Sequence, residues 1–271
     1  MTAPQMSEMK TWLKTWCVPQ WPAAANVKAV CTSRAGGVSI SPYDALNLGL
    51  HVGDRAQDVL TNRSLLGDYL GAQPVFMDQV HGWRTLELTQ SHRQAGVPPR
   101  ADACLTRETG LACTVMVADC LPVLMCSGDG QLVAAAHAGW RGLLGQDGVG
   151  VLESTVEGLR HAAPGYTHKD WLVWLGPCIG PSAFEVGGEV RDAYAQSGES
   201  ALKAFAPLGG GKWLADLACL ARDRLGRMGI EQIYGNDGSP AWCTFSNPER
   251  YFSHRRDRVS GRLAAAIWRV A

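Results

Sequence analysis

Two histidines and one cysteine stand at the ends of predicted strands and are candidate ligands of one metal ion. His81 lies in the segment DQVHG, Cys120 in ADCLP and His137 in HAGWRG. Two imidazoles and a thiolate suit zinc, and three protein ligands leave the fourth position open, as in catalytic zinc sites. Zinc lowers the pKa of a bound water towards ~7 and so supplies a nucleophile at neutral pH. The spacing itself matches no standard zinc motif, so a core thiol and a turn histidine remain the alternative.

The same residues also permit a metal-free reaction. In that interpretation Cys120 is a nucleophile that His137 or His81 activates. The neighbouring Asp119 argues against it, because a carboxylate raises the pKa of a nearby thiol. A metal site tolerates that carboxylate better, since the cation reverses the local charge balance.

Arginines on glycine-rich turns are candidate anion-binding residues. Arg34 enters a Gly-Gly loop, Arg141 lies between two glycines, and Arg255 and Arg256 end a predicted strand. A guanidinium can grip a phosphate with two parallel hydrogen bonds. Solvated surface arginines are the plainer alternative for each of these residues.

The composition narrows the class of protein. The 271 residues are 46% hydrophobic and 18% charged, which is ordinary for a globular protein and excludes a disordered one. Basic and acidic residues number 25 each, so no basic excess indicates a nucleic-acid partner. We find neither a secretory signal nor a membrane-spanning run in the sequence, so we expect a cytoplasmic protein. Its nine cysteines should then be reduced thiols. A monomer is compatible with this length.

The pattern of apolar runs predicts an α+β fold with a mixed sheet at its core. Helices are expected near 55–70, with Asp54 as the cap and Leu60 on the apolar face, and at 149–162, 189–195 and 216–228. Strands are expected at 26–33, 75–77, 85–88, near 104, and at 111–118, 121–126, 132–137, 171–175, 230–234, 251–255 and 262–270. The turn at 127–130 predicts a hairpin between two of them.

Several of these segments together resemble the YfiH-like family, also called the laccase-domain or polyphenol-oxidase-like family. The resemblance runs from about residue 25 to the C-terminus in one domain, 1–271. It is carried by TSRAGGV (32–38), LNLGLHVGD (46–54), DQVHG (78–82), ADCLPV (118–123), HAGWRG (137–142), GPCIGP (176–181) with FEVG (184–187), and FSHRRD (252–257) with GR (261–262).

The resemblance implies layered mixed sheets flanked by helices, related to cysteine-hydrolase-like toxin domains. It implies zinc held by His81, Cys120 and His137, with copper as a less favoured metal. The implied activity is phosphorolysis of adenosine, inosine, guanosine and methylthioadenosine to base and ribose 1-phosphate, with deamination of adenosine. We expect Asp119 to act as an acid or to orient water.

Within the resembling segments, four residues are expected to bind the nucleoside or phosphate: Arg34, Asn47, Arg141 and Arg255. Two positions depart from the family pattern, Cys178 in place of a small apolar residue and His254 in place of tyrosine. The alternatives are an enzyme that edits peptidoglycan precursors and a copper-dependent polyphenol oxidase. A multicopper enzyme carries several His-X-His pairs, and none of the seven histidines forms one.

Overall fold

The computed structural model describes residues 12–94 and 96–271. That part of the chain contains six α-helices: α1 (Ala56–Leu70), α2 (Trp140–Leu144), α3 (Val151–Ala162), α4 (Gly188–Gln196), α5 (Leu217–Arg227) and α6 (His254–Asp257). It contains thirteen strands: β1 (Val27–Cys31), β2 (Gln73–Val75), β3 (Thr85–Glu87), β4 (Ala103–Thr106), β5 (Leu111–Val117), β6 (Leu121–Ser127), β7 (Val133–Ala138), β8 (Trp171–Leu175), β9 (Glu185–Gly187), β10 (Phe205–Gly209), β11 (Lys212–Ala215), β12 (Ile233–Gly235) and β13 (Leu263–Arg269).

The strands form three sheets within the described ranges. Their orders are β1-β13-β5-β2, β12-β8-β6-β7-β4-β3 and β10-β11-β9. Three neighbouring pairs are parallel, namely β2 with β5, β3 with β4 and β12 with β8, and the other pairs are antiparallel. The two large sheets are therefore mixed, and the predicted α+β class is confirmed.

The two large sheets pack against each other and carry helices on their outer faces. One apolar cluster joins residues of β5 and β13 to residues of β4, β6, β7 and β8, so it lies between the sheets. A second cluster joins α1 to the four-stranded sheet, and a third joins α3 and α5 to the six-stranded sheet. This gives four layers, helix, sheet, sheet and helix, as the resemblance implied.

Burial on both faces explains why the central strands read as continuous apolar runs. In β6, Val123 and Met125 face the helices, whereas Leu124 and Cys126 face the other sheet. The predicted hairpin is confirmed, because β6 pairs with β7 in antiparallel register. No helix in the described residues is both long and apolar enough to cross a membrane.

The predicted start of the first helix is wrong in detail. Asp54 does not cap α1; its Oδ2 accepts hydrogen bonds from Ser39 Oγ at 2.6 Å and Asn47 Nδ2 at 2.9 Å. Arg55 is the N-cap and its side chain forms no cap hydrogen bond. Leu60 is 50% exposed and so does not belong to the buried face. The buried positions of α1 are Val59, Asn62, Leu66 and Leu70.

The strand predicted over 251–255 is also wrong. Helix α6 begins there instead, because the Ser253 hydroxyl accepts a hydrogen bond from the Arg256 N–H at 3.2 Å and caps the first turn. The strand predicted at 75–77 lies two residues earlier, at 73–75. The three-stranded sheet was not predicted, since its strands have three to five residues and few of these are buried.

Candidate metal centre

The two large sheets bring the three candidate ligands together. Cys120 connects β5 to β6, and His137 lies one residue before the end of β7, the antiparallel neighbour of β6. His81 lies in the loop after β2 with a positive φ of 59°. One ligand atom from each of the three residues lies within 4.8 Å of the other two. The set is therefore close enough to share one metal ion after a small adjustment of the side chains.

The ligands differ in exposure. His137 is 4% exposed, Cys120 is half-buried, and His81 is exposed. The imidazole rings of the two histidines meet edge to face with centroids 4.8 Å apart. The buried His137 and half-buried Cys120 would hold a metal ion on its inner side, and solvent or substrate would approach the ion from the side of the exposed His81.

Gly139 packs directly against two of the three ligands, and a side chain at this position would collide with them. A Cβ atom at this position would lie 2.9 Å from Cys120 Sγ and 3.3 Å from His81 Cδ2. Such a contact with a sulfur atom is shorter than van der Waals packing allows. The sequence HAG after β7 thus lets the backbone pass directly beside the thiol and one imidazole.

Asp102 is the carboxylate behind the histidines, and no motif in the sequence identified it. It is fully buried just before β4, and its Oδ1 lies 2.9 Å from His137 Nδ1. Burial raises the pKa of Asp102, but the hydrogen bond and charge of His137, together with N–H groups of Gly82 and Val80, lower it overall. The signal in the sequence is a single acidic residue inside an apolar strand run, which indicates a buried partner but does not name it.

The ligands open into a cavity of about 420 Å³, a volume that suits a small molecule. Four arginines line this cavity: Arg141, Arg255, Arg258 and Arg262. Arg258 and Arg262 were not among the predicted binding residues. Ile179 and Phe184, from the segments GPCIGP and FEVG, form part of the apolar wall.

The guanidinium groups of two of these arginines form no hydrogen bond or ion pair in the described ranges. Arg141 stacks 4.3 Å over the Trp140 ring, and neither its guanidinium nor that of Arg258 forms a hydrogen bond or ion pair with another described residue. Arg258 has a φ of 62°, a backbone conformation that arginine rarely adopts. Arg255 donates to the Glu185 carbonyl at 2.9 Å, and Arg262 donates to the Ser260 carbonyl at 2.9 Å. The first two are therefore free to bind an anion.

The structure does not bring Arg34 or Asn47 into this cavity. The Arg34 guanidinium pairs with the Asp44 carboxylate at 3.2 Å and donates to the Pro248 carbonyl at 3.0 Å, in a separate surface depression. Asn47 is fully buried, and its Oδ1 accepts the N–H of Arg262 at 2.9 Å. Neither residue lines the cavity in the structure, and Asn47 is linked to it through Arg262.

Asp119 lines the cavity, but both of its carboxylate oxygens already accept hydrogen bonds. Oδ1 accepts from Thr244 Oγ1 at 2.7 Å and Oδ2 from the Arg255 N–H at 2.6 Å. Its φ is 98°, and its carbonyl accepts the Ile179 N–H at 2.8 Å. This geometry suits a residue that ties the Cys120 loop to α6 better than one that donates a proton.

The two departures from the family pattern lie in different places. Cys178 is 2% exposed, and its sulfur accepts a hydrogen bond from Asn236 Nδ2 at 3.3 Å, behind the cavity wall. His254 lines the cavity itself at the first position of α6. Only the second departure is in contact with the space that a ligand would fill.

Cys120 and His137 form an acid–base pair. Burial raises the pKa of Cys120, but the charge of His137 and hydrogen bonds from His137 and His81 lower it to about 6. Burial lowers the pKa of His137, but the charge of Cys120 and hydrogen bonds to Asp102 and Cys120 raise it to about 9. The opposite shifts of the two pKa values describe a thiolate beside an imidazolium. We expected the Asp119 carboxylate to raise the pKa of the Cys120 thiol, but the two histidines lower it instead.

This pair predicts how metal binding depends on pH. Between about pH 6 and 9 the thiolate is formed but His137 holds a proton, so a bound metal should displace about one proton. Below about pH 6 Cys120 is protonated too, and the number displaced should exceed one. Calorimetry of zinc binding in buffers with different ionisation enthalpies measures this number. A number that stays constant from pH 5 to 9 would contradict the pairing.

Comparison with known proteins agrees with the resemblance seen in the motifs. A family model described as multi-copper polyphenol oxidoreductase laccase matches residues 28–270. The chain is 47% identical over 257 residues to a Pseudomonas aeruginosa protein named purine nucleoside phosphorylase, covering 94% of this chain and 99% of the relative. It is 47% identical over 255 residues to the Escherichia coli purine nucleoside phosphorylase YfiH, covering 93% and 98%.

Solved structures show the same fold. A Neisseria meningitidis protein superposes with a TM-score of 0.86 at 42% identity, covering 95% of this chain and all of the other. YlmD from Geobacillus stearothermophilus superposes with a TM-score of 0.83 at 32% identity, covering 91% and 93%. Sequence, fold and the clustered ligands agree, and the chain belongs to the YfiH-like family.

Proposed function

We propose that this chain is a zinc-dependent purine nucleoside phosphorylase. It would cleave adenosine, inosine, guanosine or methylthioadenosine with phosphate, releasing the base and the corresponding ribose 1-phosphate. The observation that carries the proposal is one cavity that joins a metal-ligand set to four arginines. The names of the Pseudomonas and Escherichia relatives support the same reaction. We also propose that residues 1–271 form a single catalytic domain.

The donor set fits a zinc ion. His81, Cys120 and His137 would hold it, and their nitrogen and sulfur atoms are donors that zinc prefers. When bound, the ion supplies a Lewis acid and a positive charge beside the substrate. Copper has similar donor preferences and stays the less favoured metal.

The arginines would bind and orient the phosphate. Arg141 and Arg258 have free guanidinium groups, and Arg255 and Arg262 add positive charge to the same walls. As the bond between ribose C1′ and the purine nitrogen breaks, positive charge develops on the ribose. A phosphate dianion held against C1′ both attacks this carbon and stabilises that charge. Asp119 would position Arg255 through the N–H that it accepts.

Removing either free arginine should weaken phosphate binding. Arg141→Gln and Arg258→Gln should each raise the KM for phosphate by about 10- to 100-fold, since a hydrogen bond to a charged group contributes about 1.5–3 kcal/mol. Steady-state kinetics with varied phosphate and saturating inosine measures this effect. Arg160→Gln is the matched control, because Arg160 is an exposed arginine of α3 outside the cavity.

The Arg34 position decides between the two assignments of the phosphate site. The contrary result is that Arg34→Gln raises the KM for phosphate while Arg141→Gln and Arg258→Gln leave it unchanged. That result would place the phosphate at Arg34, as the glycine-rich loop predicts, and not in the cavity that Arg141 and Arg258 line.

Phosphate dependence is the experiment that tests the proposed reaction. Release of hypoxanthine from inosine should rise with phosphate concentration, saturate, and fall to the background rate when phosphate is removed. A rate of base release that is independent of phosphate would instead indicate hydrolysis.

We include adenosine deamination in the proposal, at the same cavity. An activated water would replace the amino group at purine C6, and a protein acid would protonate the departing ammonia. Because both Asp119 oxygens are occupied, that residue is a weaker candidate for the acid than we expected. Formation of inosine from adenosine without phosphate tests this activity.

One observation favours a second candidate function, a metal-free cysteine hydrolase acting on a cell-wall precursor. It is the thiolate–imidazolium pair of Cys120 and His137, which also activates nucleophilic cysteines. Such an enzyme keeps its activity after chelation and loses it when Cys120 is alkylated. Zinc-dependent phosphorolysis would be lost in both treatments.

A multicopper oxidase is disfavoured by the ligand inventory. Three or more candidate ligands meet at one place in the described residues, the His81, Cys120 and His137 cluster. An oxidase with several coppers needs several such clusters. We therefore do not propose for this chain the multi-copper oxidase activity that the description of the family model names.

A further inference from the structure

Four hydrogen bonds converge on the buried carboxylate of Asp102. Oδ1 accepts from His137 Nδ1 at 2.9 Å and from the His81 N–H at 2.9 Å. Oδ2 accepts from the Gly82 N–H at 2.7 Å and the Val80 N–H at 3.2 Å. All four donors belong to the two segments that carry the histidine ligands. The Asp102 carbonyl also accepts the N–H of His137 at 2.7 Å.

We propose that Asp102 is a positioning residue that prepares both histidine ligands for the metal. It would fix the tautomer of His137 and hold the turn from which His81 projects. This inference rests on the metal centre of the proposed function, but it concerns residues of this chain that can be studied apart from catalysis.

The effect of Asp102 on the tautomer of His137 follows from hydrogen-bond chemistry. An ionised carboxylate is an acceptor only, so the ring nitrogen that faces Asp102 must carry a proton. His137 is then protonated at Nδ1 when it is neutral, and its Nε2 lone pair is free for the metal. A carboxylate behind a histidine ligand also makes the imidazole a better donor and fixes the ring plane.

The effect of Asp102 on His81 follows from the backbone conformation of the loop that carries this histidine. His81 has a φ of 59°, which is unfavourable for a residue with a side chain. Three successive N–H groups, those of residues 80, 81 and 82, surround the Asp102 carboxylate as in an anion-binding nest. These bonds offset the strain of the turn, so the anion sets the position of the His81 side chain.

Asparagine at position 102 would break this arrangement while keeping its shape. Its side chain has one acceptor oxygen and one NH2 donor. If the oxygen accepts from the Val80 and Gly82 N–H groups, the NH2 faces His137 Nδ1 and favours the other tautomer, with a proton on Nε2. If the amide is flipped, the NH2 faces two backbone donors instead. Either orientation opposes the geometry needed for two ligands.

The test is the zinc affinity of the full-length Asp102→Asn protein, measured by competition with a chromophoric chelator. We expect the affinity to fall by about 10- to 100-fold. The control is Asp78→Asn in the same loop, where the exposed carboxylate forms no hydrogen bond to any described residue. This control removes the same charge, and its zinc affinity should stay within about twofold of the wild type.

A second measurement uses the wild-type protein, so the test stands even if the variant does not fold. Nitrogen-15 NMR of the histidine side chains in zinc-loaded protein should show His137 protonated at Nδ1 and metal-bound at Nε2. Metal on Nδ1, or an unchanged zinc affinity in Asp102→Asn, would overturn the role of Asp102 while leaving the metal centre intact. A wild-type protein that binds no zinc would overturn the metal centre and this inference together.

Discussion

Replacing Cys120 with alanine should remove tight zinc binding and lower phosphorolysis of inosine by at least about 10³-fold. Cys120 supplies the only anionic ligand among the three candidates, and the two imidazoles that remain are a weak zinc site. A Lewis acid contributes several kcal/mol to catalysis, and each 1.36 kcal/mol corresponds to about a factor of ten in rate. Zinc content by atomic absorption and initial rates measured on the same samples check both parts.

Cys219→Ala is the matched control for that substitution. Cys219 is a half-buried thiol of α5 outside the cavity, so its loss should change neither zinc content nor rate. If Cys120→Ala bound zinc as tightly as the wild type, Cys120 would not be a ligand. If it bound no zinc but kept its rate, the metal would have no part in the reaction.

Replacing Gly139 with alanine should damage the site without removing a ligand. The new methyl group would lie 2.9 Å from Cys120 Sγ and 3.3 Å from His81 Cδ2, so one of these ligands or the backbone must move. Overpacking of this kind costs about 1–3 kcal/mol, and metal and catalytic groups tolerate displacements of only about 0.5 Å. We expect zinc affinity and activity to fall together by about 10- to 100-fold, measured by chelator competition and by initial rates.

Gly165→Ala separates this effect from a general effect of glycine replacement. A Cβ at Gly165 would meet no atom within 4 Å, so that variant should behave as the wild type. A Gly139→Ala protein with unchanged zinc affinity would mean that the ligands do not close around this glycine.

The three candidate ligands could be found in the sequence because each lies near the end of a strand that is readable as an apolar run. The strands β5, β6 and β7 are buried on both faces, so their apolar residues are unbroken and their ends are sharp. Cys120 and His137 stand at those ends. Where burial is one-sided or slight, as in β9 to β11, the pattern was too short to detect.

The supporting residues could not be found in the same way, because their roles depend on contacts distant in sequence. Asp102 meets His137 across 35 residues, and Asp119 meets Thr244 across 125. Arg34 and Arg141 both lie close to glycines, and the sequence does not show that only Arg141 turns towards the cavity. The helix α6 was predicted as a strand because its one strong signal, the cap at Ser253, follows two aromatic residues typical of strands.

The products of one reaction distinguish nucleoside phosphorolysis from the alternatives. Zinc-loaded protein is incubated with inosine and phosphate, and hypoxanthine and ribose 1-phosphate are quantified by chromatography, with Cys120→Ala in parallel. We predict equal amounts of the two products from the wild type and background amounts from the variant. Folded, zinc-bound wild-type protein that forms neither product would contradict nucleoside phosphorolysis and leave the cell-wall hydrolase as the better account.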